Sequence, residues 1–197
     1  MGNFPTPIKD VLAAVRFSVF FKAYGIYKIG PENAVYYAMS DRYEINIVSD
    51  LGELVRRITK KGVARKVTEK DTEIALRDFP WASKPRSEIV IPEIMPSLAD
   101  FFVLPNGYLL VITFESELDR SSLSGELFDD QGVFQARVEV PKYDDWFSLI
   151  GTREIGKAMV EGDSFYTIEA DAAEEIFSVK RYKMIWEQPT DYRWLFF

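Results

Sequence analysis

The 197-residue chain is 47% hydrophobic and 28% charged, long enough for one domain with a real core and too apolar for a disordered segment. Its net charge of −7 excludes nucleic acid and acidic membranes as principal partners, since both select a basic face. With no cysteine and no histidine, disulfides, thiolate nucleophiles, Cys/His zinc sites and Ser-His-Asp triads are excluded. Carboxylates, Lys, Tyr, Ser, Thr or an oxygen-ligated metal remain for any chemistry.

In chain order, Pro5 to Val15 has helical spacing, with Thr6 as cap, Pro7 in the first turn, and Ile8, Val11, Leu12 and Val15 on one face. The apolar stretch VLAAVRFSVFF (11–21) is interrupted by Arg16 and ended by Lys22, so it fails as a signal segment and is too short and charged to span a bilayer. A soluble chain is expected. Phe17 to Tyr27 then reads as strand, Pro31-Glu32-Asn33 as a turn, and AVYYAMS and Ile45 to Val48 as two more strands. Asp50-Leu51-Gly52 separates the last of these from Glu53 to Ile58, which is a hairpin signal.

Residues 60–100 break the pattern and read as an insertion. Thr68 with Asp71 forms a capping-box motif before a short amphipathic helix that Pro80 ends, and four further prolines limit regular structure as far as Pro105. Strands resume in PNGYLLVITF, in SGELFDDQGVFQARVEV with a second Asp-x-Gly turn, in EGDSFYTIEA, and in the alternating IFSVKRYKMIW.

The chain repeats itself. Sliding INIVSDLGELVRRI (45–58) by 80 positions onto GELFDDQGVFQARV (125–138) places Val48 on Phe128, Asp50 on Asp130, Gly52 on Gly132 and Arg57 on Arg137. A turn-plus-strand unit recurs at NAVYYA (from 33), NGYLLV (from 106) and GDSFYT (from 162). Repetition of one antiparallel unit predicts an all-β fold of propeller-type, four-stranded blades, about three of them, with the helical insertion near 68–79 and a short N-terminal helix, in a single domain over 1–197.

The series SDRYEINIVSDLGELVRRI, VTEKDTE, LPNGYLLV and LFDDQGVFQARVEVP resembles bacterial six-bladed β-propellers of the NHL-like class, over about residues 17–186. The resemblance implies the C-terminal half of such a propeller and an exported or periplasmic setting, although the chain shows no signal segment. Three blades cannot close a ring, so a second copy completing it, or another protein partner, is expected. The apolar tail DYRWLFF is a candidate for the contact.

Candidate ligand-binding residues are Asp41, Arg42, Tyr43 and Glu44, a polar cluster beside a strand that belongs at a channel mouth or, more plainly, in a self-satisfied turn. Glu115 and Glu117, with Asp119, alternate after a strand and suit paired-carboxylate chemistry or a solvated loop. Trp146, with Trp81 and Trp186, suits a groove or packing between blades. Asp50 and Asp130 invite a metal reading, but one Asp per turn more often accepts backbone N–H groups. No catalytic residue, metal or cofactor is expected. The expected function is a non-catalytic binding or scaffolding module that recognises a protein, peptide or small ligand through blade loops. The alternative is a divalent-metal-dependent lactonase or hydrolase, which needs acids converging from several blades.

Overall fold

The computed structural model describes residues 18, 19, 21, 23–61, 65–78, 89–114, 122–141, 158–171 and 176–185. The expected N-terminal helix and the apolar tail lie outside these. The strands are β1 (Ser18–Val19), β2 (Gly25–Ile29), β3 (Val35–Met39), β4 (Glu44–Val48), β5 (Leu54–Thr59), β6 (Ile89–Val90), β7 (Asp100–Val103), β8 (Leu109–Thr113), β9 (Ser122–Phe128), β10 (Phe134–Pro141), β11 (Ala158–Glu161), β12 (Ser164–Asp171) and β13 (Ile176–Lys183). A helix, α1 (Glu69–Asp78), and a 3-10 turn (Pro31–Asn33) complete the described elements.

The described part of the chain is mostly β. Its strands form three antiparallel sheets in sequence order: β2-β3-β4-β5, β7-β8-β9-β10, and β11-β12-β13, the last with three strands among the described residues. β1 and β6 pair in parallel over two residues. The expected single strand from Phe17 to Tyr27 is instead two, separated by a turn in which Phe21 takes a positive φ of 52°. β7 was not anticipated, because its four residues lie between the proline-rich insertion and Pro105.

The first two sheets repeat in register. Val35 opposite Val48 in the first sheet corresponds to Leu109 opposite Phe128 in the second, and Ile29 opposite Val35 corresponds to Val103 opposite Leu109. The offset is 74 for β2 and β3 (Val35 to Leu109) and 80 for β4 and β5 (Val48 to Phe128), so the six extra residues enter between β8 and β9. Even the irregularities match: the ladder skips Val55 in one hairpin and Gln135 in the other.

The turns explain why glycine recurs. In the β4-β5 turn the Ser49 N–H donates to the Glu53 carbonyl (2.9 Å) and Gly52 N–H to the Ser49 carbonyl (3.0 Å). The β9-β10 turn repeats this with Asp129, Val133 and Gly132, and the β7-β8 turn with Leu104, Tyr108 and Gly107. In all three the glycine sits at φ near +80° (82°, 79° and 81°), where a Cβ is strained.

Packing is face to face. The inner face of the first sheet, including Ile26, Ala38, Ile45 and Ile58, covers Phe101, Leu109, Val111 and Phe128 of the second. The opposite face of the second sheet, including Leu110, Ile112, Leu127 and Val140, packs with Phe165 of the third. The centre of the second sheet is therefore buried on both faces, and all five residues of β8 are buried. That is why its sequence, LLVIT, runs apolar instead of alternating. The first strands of successive sheets lie side by side, β2 against β7 and β7 against β11. Phe102 meets Phe165 edge-on with ring centroids 5.4 Å apart.

Gly125 in β9 marks a tight approach inside the second sheet. A Cβ there would lie 2.8 Å from Val138 Cγ2, 3.0 Å from Val140 Cγ2 and 3.1 Å from Leu110 Cδ1. Gly125→Ala is expected to cost about 1–3 kcal/mol through overpacking, measured by urea denaturation. An unchanged midpoint would show that these three side chains yield freely.

Candidate functional site

The cluster at 41–44 divides between three surroundings. Asp41 and Arg42 occupy the exposed β3-β4 turn and face each other at 3.5 Å, in reach of water. The Asp41 carbonyl accepts a bond from Ser97 Oγ (3.3 Å). Tyr43 is buried and its hydroxyl donates to Glu126 Oε2 of β9 at 2.7 Å. Glu44 lies on the outer face of the first sheet, accepting from Asn46 Nδ2 (3.1 Å) and facing Arg57 Nε at 3.7 Å. Of the four, Asp41 and Arg42 are the ones whose side chains are presented to solvent. Glu115, Glu117 and Trp146 fall outside the described residues, as do Trp81, Trp186 and Asp119.

Glu126 is the centre that the sequence reading missed. Its side chain is 1% exposed, between the first and second sheets, and it receives Tyr43 from the first sheet, Lys60 Nζ at 2.5 Å, and Arg137 Nε at 3.6 Å from the neighbouring strand. Lys60 also sits 5.4 Å over the Tyr43 ring. A carboxylate can be buried only when its lone pairs are met by donors and its charge by a cation, and this arrangement supplies both. The signal was a single acid on the buried face of SLSGELF.

A second ion pair joins the first strands. Lys28 of β2 lies 3.1 Å from Asp100 of β7 and 5.1 Å from the Phe102 ring centroid. Nearby, the Tyr24 hydroxyl donates to the Ala99 carbonyl. Burial, and then the negative charge of Asp100, pushes the Tyr24 phenol far above its ordinary value, so it remains a hydrogen-bond donor.

At the turn end, Arg56 of β5 donates to the Asp130 carbonyl and to Gln131 Oε1 (3.3 Å). The side chain that holds the β9-β10 turn is Asp129, not Asp130. Asp129 Oδ1 accepts the Gln131 and Val133 N–H groups at 2.9 and 2.8 Å. Ser49 Oγ takes the corresponding place in the first hairpin, accepting from Glu53 N–H (3.3 Å). The recurring Asp-x-Gly is thus the trace of a turn whose acceptor stands one residue earlier.

The insertion is anchored at the opposite end. Ser97 and Leu98 N–H groups donate to the Ser40 carbonyl (2.7 and 3.1 Å), and Arg65 Nε donates to the Phe114 carbonyl (2.8 Å). The Thr68–Asp71 capping box forms as expected: Asp71 Oδ2 accepts Thr68 N–H (2.9 Å) while Asp71 N–H donates to Thr68 Oγ1 (3.2 Å). Arg65 clamps the same carboxylate with two bonds of 2.6 and 3.0 Å.

Among the described residues no three acidic side chains converge as a metal site would require, and no helix is long and apolar enough to cross a membrane. No protein-family model matches the chain, and no curated protein matches it.

Two outcomes follow from the buried carboxylates. Tyr43→Phe keeps the ring under Lys60 but removes a donor from Glu126, so urea denaturation should show a loss of about 1.5–3 kcal/mol. Asp71 behaves as a pH-dependent clamp. Burial pushes its carboxyl up, but Arg65 and the Thr68 N–H and hydroxyl outweigh this and hold it below the ordinary 3.8. The folded value is depressed, so its contribution is complete above pH 3.8 and is lost as pH falls through the folded value. Asp71→Asn should flatten the acid limb of the stability profile below pH 3.8, read by thermal unfolding across pH. A parallel limb in both proteins would remove Asp71 as a cause.

Proposed function

We propose that the chain is a non-catalytic binding or scaffolding module of β-propeller type, half of a six-bladed ring, which recognises a protein, peptide or small ligand through loops at the strand ends. The observation that carries this is the use to which the buried carboxylates of the described residues are put. Glu126 joins the first sheet to the second, and Asp71 holds the insertion. Both are committed to cations and donors that fix structure. Asp100 serves the same end by joining β2 to β7.

The architecture supports the propeller component. Successive antiparallel meanders stack face to face with their first strands adjacent, as blades do around an axis. The register-for-register repeat of the first two sheets fits one structural unit used more than once. Such a frame is rigid, and it holds loops at both ends of every sheet, where recognition is placed without catalytic residues. Asp41 and Arg42 lie in one of these loops. By resemblance, the setting is exported or periplasmic, and the ring is completed by a second copy or another protein partner.

Thermal unfolding with millimolar Ca²⁺ or Mn²⁺, and separately with a chelator, tests the reading against the metal-dependent hydrolase. An unchanged midpoint is expected in every condition. A resident ion at about a hundredfold excess over its Kd adds roughly 2.7 kcal/mol, and each kcal/mol moves the midpoint by about 2–4 °C at this chain length. A shift of that size would overturn the non-catalytic reading.

A further inference from the structure

The internal repeat identifies a surface that is covered in one sheet and open in its equivalent. In register, Tyr27 of the first sheet corresponds to Phe101 of the second, and Tyr37 to Val111. Phe101 and Val111 are 0% exposed, because the inner face of the first sheet lies over them. Tyr27 and Tyr37 are 63% and 44% exposed, and Ile29 and Met39 beside them are 64% and 44% exposed. The outer face of the first sheet therefore carries the large apolar side chains of a packing face. The covered equivalent shows what kind of cover it takes: another antiparallel sheet laid face to face, with apolar side chains on strands running across its middle.

The other end of the stack offers such a sheet. The third sheet turns Phe165, Val160 and Tyr182 toward the second. By alternation and register its other face carries Met159, Ile168 and Val179, which are exposed, together with Arg181 and Lys183. Arg181 donates to Ser164 Oγ (3.0 Å), Lys183 faces Asp163 at 4.0 Å and Glu44 faces Arg57 at 3.7 Å, so these polar groups have partners within their own sheets and the apolar side chains remain to be covered. The two open faces differ from one another, one at the start of the stack and one at its end, so they meet head to tail.

We propose that the outer face of the first sheet is covered by the outer face of the third sheet of a second copy of this chain, and that two such contacts related by a two-fold axis close the pair. Each chain contributes the three antiparallel sheets of its described residues. The contact repeats between chains the packing that already joins the sheets within one, and the two-fold axis makes the pair isologous: the first-sheet face of each copy meets the third-sheet face of the other. Closure into a ring rests on the propeller-type reading above, whereas the contact itself rests on the register equivalence.

Because the chain contains no cysteine, single cysteines report the contact without background. Tyr37→Cys and Val179→Cys are prepared separately, mixed, and oxidised, and wild-type mass is measured by light scattering across a range of concentrations. The expected result is a particle of twice 22.7 kDa, a disulfide-linked pair in the mixture, and little self-linkage of either variant alone. Tyr37→Asp, at an exposed position, should convert the dimer to a monomer with an unchanged far-ultraviolet circular dichroism spectrum. A monomer at every concentration would overturn the proposal and assign the face to a segment of the same chain or to a different protein. Self-linkage of Tyr37→Cys would overturn the head-to-tail geometry, and mass growing beyond two chains would overturn the closed pair. A monomer whose unfolding is also indifferent to metal would remove the pairing alone and leave the binding-module reading in place.

Discussion

A sheet covered on both faces is the constraint from which the rest of this structure follows. At its centre the second sheet has water on neither side, so β8 must be apolar and β9 must come close enough to its neighbours to require Gly125. One polar side chain, Glu126, is nevertheless placed on the face that meets the first sheet, and its donors from that side, Tyr43 and Lys60, come from outside its own sheet. Apolar packing alone would let two sheets slide over one another by a fraction of a strand repeat. A buried carboxylate does not, because a small displacement leaves its charge without partners. The ion pair therefore sets how the first sheet sits on the second.

The same logic recurs at the edges of the interface. Lys28 with Asp100 joins the first strands, and Arg56 reaches across to the β9-β10 turn. Ser40 receives two N–H groups from the insertion at the far end. Each contact lies between segments distant in sequence and near in space. Together they hold the first two sheets against one another from one end of the strands to the other.

The repeat carries the functional argument further than any single residue. Two sheets that agree in register, in turn hydrogen bonds and in the place of their bulges were built for the same packing environment. Where one equivalent position is buried and the other exposed, the difference lies in what is laid over it. The outer face of the first sheet differs from an ordinary solvated sheet face in this respect, since Tyr27, Ile29, Tyr37 and Met39 stand where a soluble sheet places polar residues.

By itself the sequence determined the strand pattern, the hairpin turns and the capping box at Thr68 and Asp71. These depend on neighbours a few residues apart: a glycine needed at positive φ, an alternation of apolar residues, a carboxylate three positions after a hydroxyl. It also announced the repeat, whose 80-residue offset holds for β4 and β5, while the alignment of NAVYYA (from 33) with NGYLLV (from 106) falls one residue short of the 74-residue offset of β2 and β3. Only the tertiary structure decided that Asp129 and not Asp130 holds its turn, that Tyr43 points into a sheet interface while Arg42 points away, and that Glu126 is the buried charge. Those outcomes depend on which sheet lies over which. Burial and pairing between residues some 80 positions apart are set by the stacking of whole faces, and no local spacing encodes that.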